Sequence, residues 1–233
     1  MEPTPRALPF RDRRDAGRVL AERLRHYAGR PDVLVLALPR GGVPVGHEVA
    51  QALGAPLDVF LVRKLGVPGH EELAMGAIAS GNVRVLNPDV IAMLHIPAHV
   101  IDDIAAREEV ELQRREREYR GDRPPLDARG RVVILVDDGL ATGATMRAAA
   151  ASLRRHGVAR IVVAVPVAAE ETCEALRSEV DEMICVVTPQ PFYAVGAWYE
   201  DFSQTDDAEV RALLISINTS GGLRRGSAAG RRW

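Results

Sequence analysis

Aromatic residues make up only 4% of this 233-residue chain, cysteine occurs twice, and the formal net charge is only −2. Each scarcity excludes something. A near-neutral chain has no global drive toward nucleic acid or an anionic membrane surface. No apolar run approaches the ~20 residues that span a bilayer, and the first residues lack the apolar segment of a secretory signal. Cys173 and Cys185 stand outside any CxxC spacing and read as small buried thiols in a reducing compartment. His70-Glu71-Glu72 and His47-Glu48 each lack the second histidine of an HExxH zinc site. No Ser/His/Asp arrangement stands out either. The expectation is a soluble, cytoplasmic protein with no membrane or nucleic-acid partner.

Apolar residues are plentiful, at 47%, enough for the core of one large domain or a domain with an inserted lid. "RDRRDAGRVLAERLRHYAG" reads as an amphipathic helix ending at Gly29, and "DVLVLAL" as a buried strand leading into "PRGG". "VPVGHEVAQALG" predicts a helix and "PLDVFLVRKLG" a second strand with two basic residues at its end. "LAMGAIASGNVRVLN" suggests a hairpin around Ser80-Gly81-Asn82. Pro97 to Tyr119 predicts a long charged helix with a narrow apolar stripe through Ile101, Ile104, Ala105 and Leu112. "ARIVVAVPVA" and "EMICVVTP" are two further buried strands, separated by a helix around "EETCEALRSEV". Alternating strands and helices imply an α/β fold: a doubly wound, mainly parallel sheet. The segment from Ser216 onward has low hydrophobicity and reads as a mobile tail. Its Arg224, Arg225, Arg231 and Arg232 are the only hint of a nucleic-acid partner.

The most informative stretch is "VVILVDDGLATGATM", Val132 to Met146. Its apolar start is short and β-branched, as in a buried strand, and "RAAAASLRRHG" after it reads as a helix stopping at Gly157. Asp137 and Asp138 therefore stand at the carboxyl end of a strand, where open α/β sheets bind ligands. The loop is neither a Walker A sequence nor a G-x-G-x-x-G turn. Backbone N–H groups and the hydroxyls of Thr142 and Thr145 at a helix start can still hold one phosphate. Gly143, Ala141 and Ala144 let the backbone approach it closely. Two carboxylates facing that phosphate would repel it. As acceptors for a vicinal diol they make sense, each charged hydrogen bond contributing roughly 1.5–3 kcal/mol. A ribose 5-phosphate satisfies both requirements.

This string resembles the PRPP-binding loop of type I phosphoribosyltransferases, in the version found in adenine phosphoribosyltransferases. The resemblance covers about Asp32 to Asp201, and the nearest likeness is to bacterial phosphoribosyltransferase-like proteins of unassigned substrate. It implies a five-stranded parallel sheet with an antiparallel edge strand or hairpin and a small hood or lid. It implies catalytic or ligand-holding roles for Asp137 and Asp138, and phosphate contacts from Ala141, Thr142, Gly143, Ala144 and Thr145. "LPRGG" resembles the pyrophosphate loop, with Arg40, Gly41 and Gly42 in the matching places; read alone it is a tight turn. "FLVRKLG" would bring Arg63 and a catalytic Lys64 to pyrophosphate, or else end a solvated strand. "PFYAVGAWYEDF" is similar to the purine-enzyme hood, where Tyr193, or Phe192 after it, would stack on a base; a hydrophobic plug is the other reading.

The implied domain is 1–215, with a core at about 30–65 and 126–188, a lid or insertion at 66–125, a hood at 189–215 and a tail at 216–233. The implied reaction transfers ribose 5-phosphate from Mg²⁺-PRPP to a nitrogenous base or amine, releasing pyrophosphate, in a protein expected to be a homodimer. Mg²⁺ would be held mainly by PRPP, with Asp137 and Asp138 as its possible protein ligands. Two other readings stand beside this one: a PRPP- or nucleotide-sensing regulator without transferase activity, and a nucleotide phosphorolase. Ala141 departs from the hypoxanthine-guanine enzymes, which carry an aspartate there. It cannot act as a general base, leaving Glu71, Glu72 and Glu200 as substitutes.

Overall fold

The computed structural model describes residues 9–226 apart from positions 82, 122 and 126. Asn82 of the expected hairpin turn, and Arg231 and Arg232 of the basic tail, lie outside the described residues, as do the side chains of Glu71 and Glu72. The elements in chain order are α1 (Arg13–Arg23), β1 (Val33–Ala37), α2 (Gly42–Leu53), β2 (Leu57–Val59), β3 (Val62–Val67), β4 (His70–Ala79) and β5 (Val83–Leu86). There follow α3 (Pro88–Met93), α4 (Ala98–Arg120), β6 (Val132–Val136), α5 (Ala144–Arg155), β7 (Arg160–Val167), α6 (Glu170–Arg177), β8 (Glu182–Val187) and α7 (Asp207–Gly226). Among the described residues no helix is long and apolar enough to cross a membrane.

Five strands form one parallel sheet in the order β2-β1-β6-β7-β8. Their residues alternate between two cores because successive side chains leave opposite faces of a strand. Val33, Val35, Ile134 and Val136 join α1, α2 and α4 residues on one face, while Leu34, Leu36, Val133 and Leu135 pack with α5 and α6 residues on the other. Burial on both faces explains why these strands read as unbroken apolar runs. The α5 face carries Met146, Ala149, Ala150 and Leu153, all buried, at the spacing of an amphipathic helix. The chain runs from β1 outward to β2 and returns on the other side at β6, so β1 and β6 flank the switch point of the sheet. Their register sets Ala37 opposite Val136. The loops after both strands therefore emerge side by side.

Three expectations are corrected. The run Pro56–Gly66 is two strands, with β2 in the parallel sheet and β3 in a separate antiparallel sheet β3-β4-β5. The hairpin thus builds its own sheet rather than an edge of the main one. Between the two strands Leu61 N–H donates to Ser80 Oγ and Ser80 N–H to the Leu61 carbonyl, both at 2.9 Å, which diverts the chain from the first sheet to the second. The long charged helix does form as α4, burying Ile101, Ala105 and Leu112. Residues past Ser216 continue α7 to Gly226 instead of loosening into a tail; Val210, Leu213 and Leu214 bury one side of its start. Finally, Cys173 and Cys185 are joined in a disulfide, not separate thiols. Packing of α6 against β8 brings their Cα atoms to 6.8 Å.

Candidate functional site

At the carboxyl end of β6 the chain turns sharply, with Asp138 N–H donating to Asp137 Oδ1 at 2.9 Å. The outer oxygen of Asp138, Oδ2, accepts from Arg13 Nε at 2.8 Å. The Tyr199 hydroxyl donates to the Asp138 carbonyl at 2.6 Å, fixing the backbone of the same residue. Burial lifts both carboxyls above the ordinary Asp range. For Asp137 the Asp138 charge adds to that rise, and the Asp138 N–H and Arg13 oppose it. For Asp138 the Arg13 hydrogen bond and charge oppose it. Burial followed by the Asp138 charge also holds the Tyr199 phenol protonated well above its usual range. Two crowded acids, one of them bonded to an arginine, leave carboxylate oxygens that a donor-rich ligand could satisfy.

The "PRGG" loop lies directly on this turn. A Cβ on Gly42 would stand 2.8 Å from the Val136 carbonyl and 3.0 Å from Asp137 Cα, and one on Gly41 2.0 Å from Asp138 Oδ2. The Pro39–Arg40 peptide is cis. Arg40 reaches toward the start of α7, with its guanidinium 3.8 Å from Asp207 Oδ1. The same oxygen accepts from the Tyr119 hydroxyl at 2.8 Å.

Beyond Asp138, Leu140 bridges to Ala168 beside β7, and the loop then rises into α5. Gly143 is buried at φ +71°, a left-handed conformation that suits glycine. A Cβ there would also meet Thr172 Cγ2 at 2.7 Å. Thr172 Oγ1 donates to the Ala141 carbonyl at 2.5 Å, so α6 props the loop from behind. Ala141, Thr142, Ala144 and Thr145 are exposed. The start of α5 carries no side-chain cap, and the hydroxyls of Thr142 and Thr145 form no hydrogen bond among the described residues. Open helix N–H groups beside free hydroxyls have the donors that one phosphate-sized anion needs.

The fold thus brings together Gly41, Gly42, Asp137, Asp138 and the 141–145 loop. Arg63 is held elsewhere, its guanidinium bonded to Glu108 of α4 at 2.6–2.7 Å. Lys64 is exposed on β3. Tyr193 is 81% exposed, whereas Phe192 packs against the small cluster of Phe10, Val167 and Tyr199. Sequence reasoning missed Arg13. Its signal was an arginine at the first position of a helix capped by Asp12, where a cation opposes the helix dipole.

A sequence model of the phosphoribosyl transferase domain matches residues 13–199. Rv0571c of Mycobacterium tuberculosis (strain H37Rv), which bears a provisional phosphoribosyl transferase name, is 49% identical over 205 residues. That alignment covers 88% of this chain and 46% of the relative, so the chain spans about half the length of the curated relatives it matches. The crystal structure of TT1426 from Thermus thermophilus is 45% identical and superposes with a TM-score of 0.80, covering 90% of this chain and 99% of that one. The bifunctional protein PyrR of Chloroflexus aurantiacus is 33% identical over 129 residues, covering 54% of this chain and 65% of that protein. A match that runs from α1 through both loops of the switch point to Tyr199 makes this chain a member of the phosphoribosyl transferase family.

Proposed function

We propose that the chain transfers ribose 5-phosphate from Mg²⁺-PRPP to a nitrogenous base or amine, with release of pyrophosphate. The observation that carries this reading is the convergence, at one end of the sheet, of the exposed Thr142–Thr145 loop at the start of α5 and two acids pressed against Gly41 and Gly42. In this reading the loop holds the 5-phosphate and Asp137 and Asp138 accept from the ribose hydroxyls. The Gly41 N–H, with Arg40 and Lys64, faces the pyrophosphate, Gly42 lets its loop lie close on the acid turn, and Tyr193 covers the acceptor. Displacement at C1 passes through a cation-like sugar, so the work of the site is alignment and charge stabilisation. The 66–125 insertion serves as a lid that keeps water from the cation.

The donor set bears on the metal. Among the described residues no group of three or more His, Cys, Asp or Glu could cage one, and Asp138 already gives Oδ2 to Arg13. That chemistry fits a Mg²⁺ carried mainly by diphosphate oxygens and water, with Asp137 and Asp138 as the carboxylates at hand. Bound there, Mg²⁺ would supply charge neutralisation for the departing pyrophosphate.

The test is a pyrophosphate-release assay with Mg²⁺-PRPP against a panel of nucleobases and amines. Turnover with at least one acceptor is expected. Saturable PRPP binding with no turnover across the panel would replace the transferase with a PRPP sensor, and absence of PRPP binding would overturn both.

A further inference from the structure

Arg13 is only 12% exposed, and three far-separated segments meet at its guanidinium. Nε donates to Asp138 Oδ2 at 2.8 Å, Nη1 donates to the Ser203 carbonyl at 2.6 Å, and the guanidinium carbon lies 3.9 Å from the centre of the Phe202 ring. The base of this side chain is itself fixed. Asp12 Oδ1 accepts from Asp15 N–H at 2.7 Å, and Asp15 Oδ2 accepts from Arg11 N–H at 3.2 Å, so the first turn of α1 is capped in both directions. Docking of α1 does not hang on Arg13, because Gly17 lets the helix approach α2 closely: a Cβ there would stand 2.8 Å from the Val45 carbonyl. A buried arginine at a helix start, against the dipole, is thus left with a task at the ligand side of the site.

We propose that Arg13 is a positioning residue for the diol-binding acid. By holding Oδ2 it fixes the turn of the Asp138 carboxylate and directs Oδ1 toward the ribose hydroxyls. Through Ser203 and Phe202 it ties that orientation to the hood. This inference rests on the ribose 5-phosphate reading of the site. A carboxylate free at both oxygens turns about its terminal bond, and a charge-assisted bond to one oxygen removes that freedom before ligand arrives. Lysine could supply the charge, but neither the fork nor the flat face that stacks on Phe202.

The experiment is calorimetric titration of the full chain with ribose 5-phosphate and, separately, with inorganic phosphate, which needs only the threonine loop. The proteins compared are wild type, Arg13→Met, Arg13→Lys, Asp138→Asn and the Arg13→Met/Asp138→Asn pair. Arg13→Met should weaken ribose 5-phosphate by roughly tenfold and leave inorganic phosphate unchanged. It should add nothing once Asp138 is asparagine, because the effect runs through that residue. If Arg13→Met does not fold, Arg13→Lys carries the test, with ribose 5-phosphate alone expected to weaken. Unchanged ribose 5-phosphate affinity, equal weakening of both ligands, or full additivity in the double variant would each overturn the inference while wild-type binding stands. Failure of wild type to bind ribose 5-phosphate would overturn the reading beneath it as well.

Discussion

A Cβ built on Gly41 would stand 2.0 Å from Asp138 Oδ2 and 3.2 Å from Arg13 Nε, although the glycine and the aspartate are 97 positions apart in sequence. Conformation does not require this glycine, since its φ of −60° is open to every residue. Space requires it: the "PRGG" loop lies against the Asp138 carboxylate that Arg13 holds in place, so a methyl group there must displace that carboxylate. The sign of a substitution is therefore informative. Alanine for glycine at a right-handed position ordinarily stabilises by about 0.4–1 kcal/mol. Gly41→Ala should instead lower the melting temperature and weaken ribose 5-phosphate by about tenfold or more, a loss of roughly 1.4 kcal/mol. A variant that melts at or above wild type and binds equally would show that the loops separate easily.

The acid turn also predicts a pH dependence. Burial, and then the Asp138 charge, raise the Asp137 carboxyl well above the ordinary carboxylate range. A raised folded-state value means that the native protein holds this proton more tightly than the unfolded chain does. The associated stability is present below the unfolded value and is lost as pH rises through the folded one. Asp137→Asn keeps the oxygen that accepts from Asp138 N–H and removes the titration. The ligand-free variant should melt above wild type at pH 8, with the advantage shrinking steadily toward pH 4. Thermal melts across that range would contradict this if the gap were constant or reversed.

Helix α4 joins β2 of the main sheet through a buried ion pair. Arg120 Nε donates to both Asp58 oxygens at 2.9–3.0 Å, and Nη2 donates to the Val59 carbonyl at 2.7 Å. Both residues are buried. Removing one partner of a buried pair costs about 3–5 kcal/mol, so Arg120→Met should lose about that much in urea unfolding. A change below about 1 kcal/mol would mean that solvent reaches the pair readily.

In the proposed reaction, position 141 bears on acceptor choice. Ala141 has no titratable group, its carbonyl is taken by Thr172, and it is exposed at the mouth of the loop. Hypoxanthine and guanine should therefore be poorer acceptors than adenine, by the roughly 10²–10⁴-fold that a general base contributes. Steady-state kinetics with the three bases measures this. Efficient 6-oxopurine turnover that survives replacement of Glu71, Glu72 and Glu200 would contradict it.

Legibility in the sequence tracked the range of the interactions. The strands β1, β6, β7 and β8 are apolar runs because both faces are buried, and α5 declares itself through Met146, Ala149, Ala150 and Leu153. The two loops could be read because glycines and small residues sit where backbones touch. The break between β2 and β3 could not, since Val59, Phe60, Leu61 and Val62 are all apolar and the diversion comes from Ser80. Likewise the Cys173–Cys185 bond depends on how α6 lies on β8, and Arg13 meets Asp138, 125 positions further along the chain, only once the chain between them folds.

One titration bears most directly on the assigned site: Mg²⁺-PRPP into the wild-type chain and into the Asp137→Asn/Asp138→Asn variant, alongside Thr142→Val. Wild type should bind saturably. The double variant should lose affinity by at least about tenfold, as expected for charged hydrogen bonds to a diol. Thr142→Val should weaken PRPP and inorganic phosphate together, since it removes a hydroxyl from the anion loop. Saturable wild-type binding that is unchanged in both variants would place PRPP elsewhere and contradict the assignment of this site.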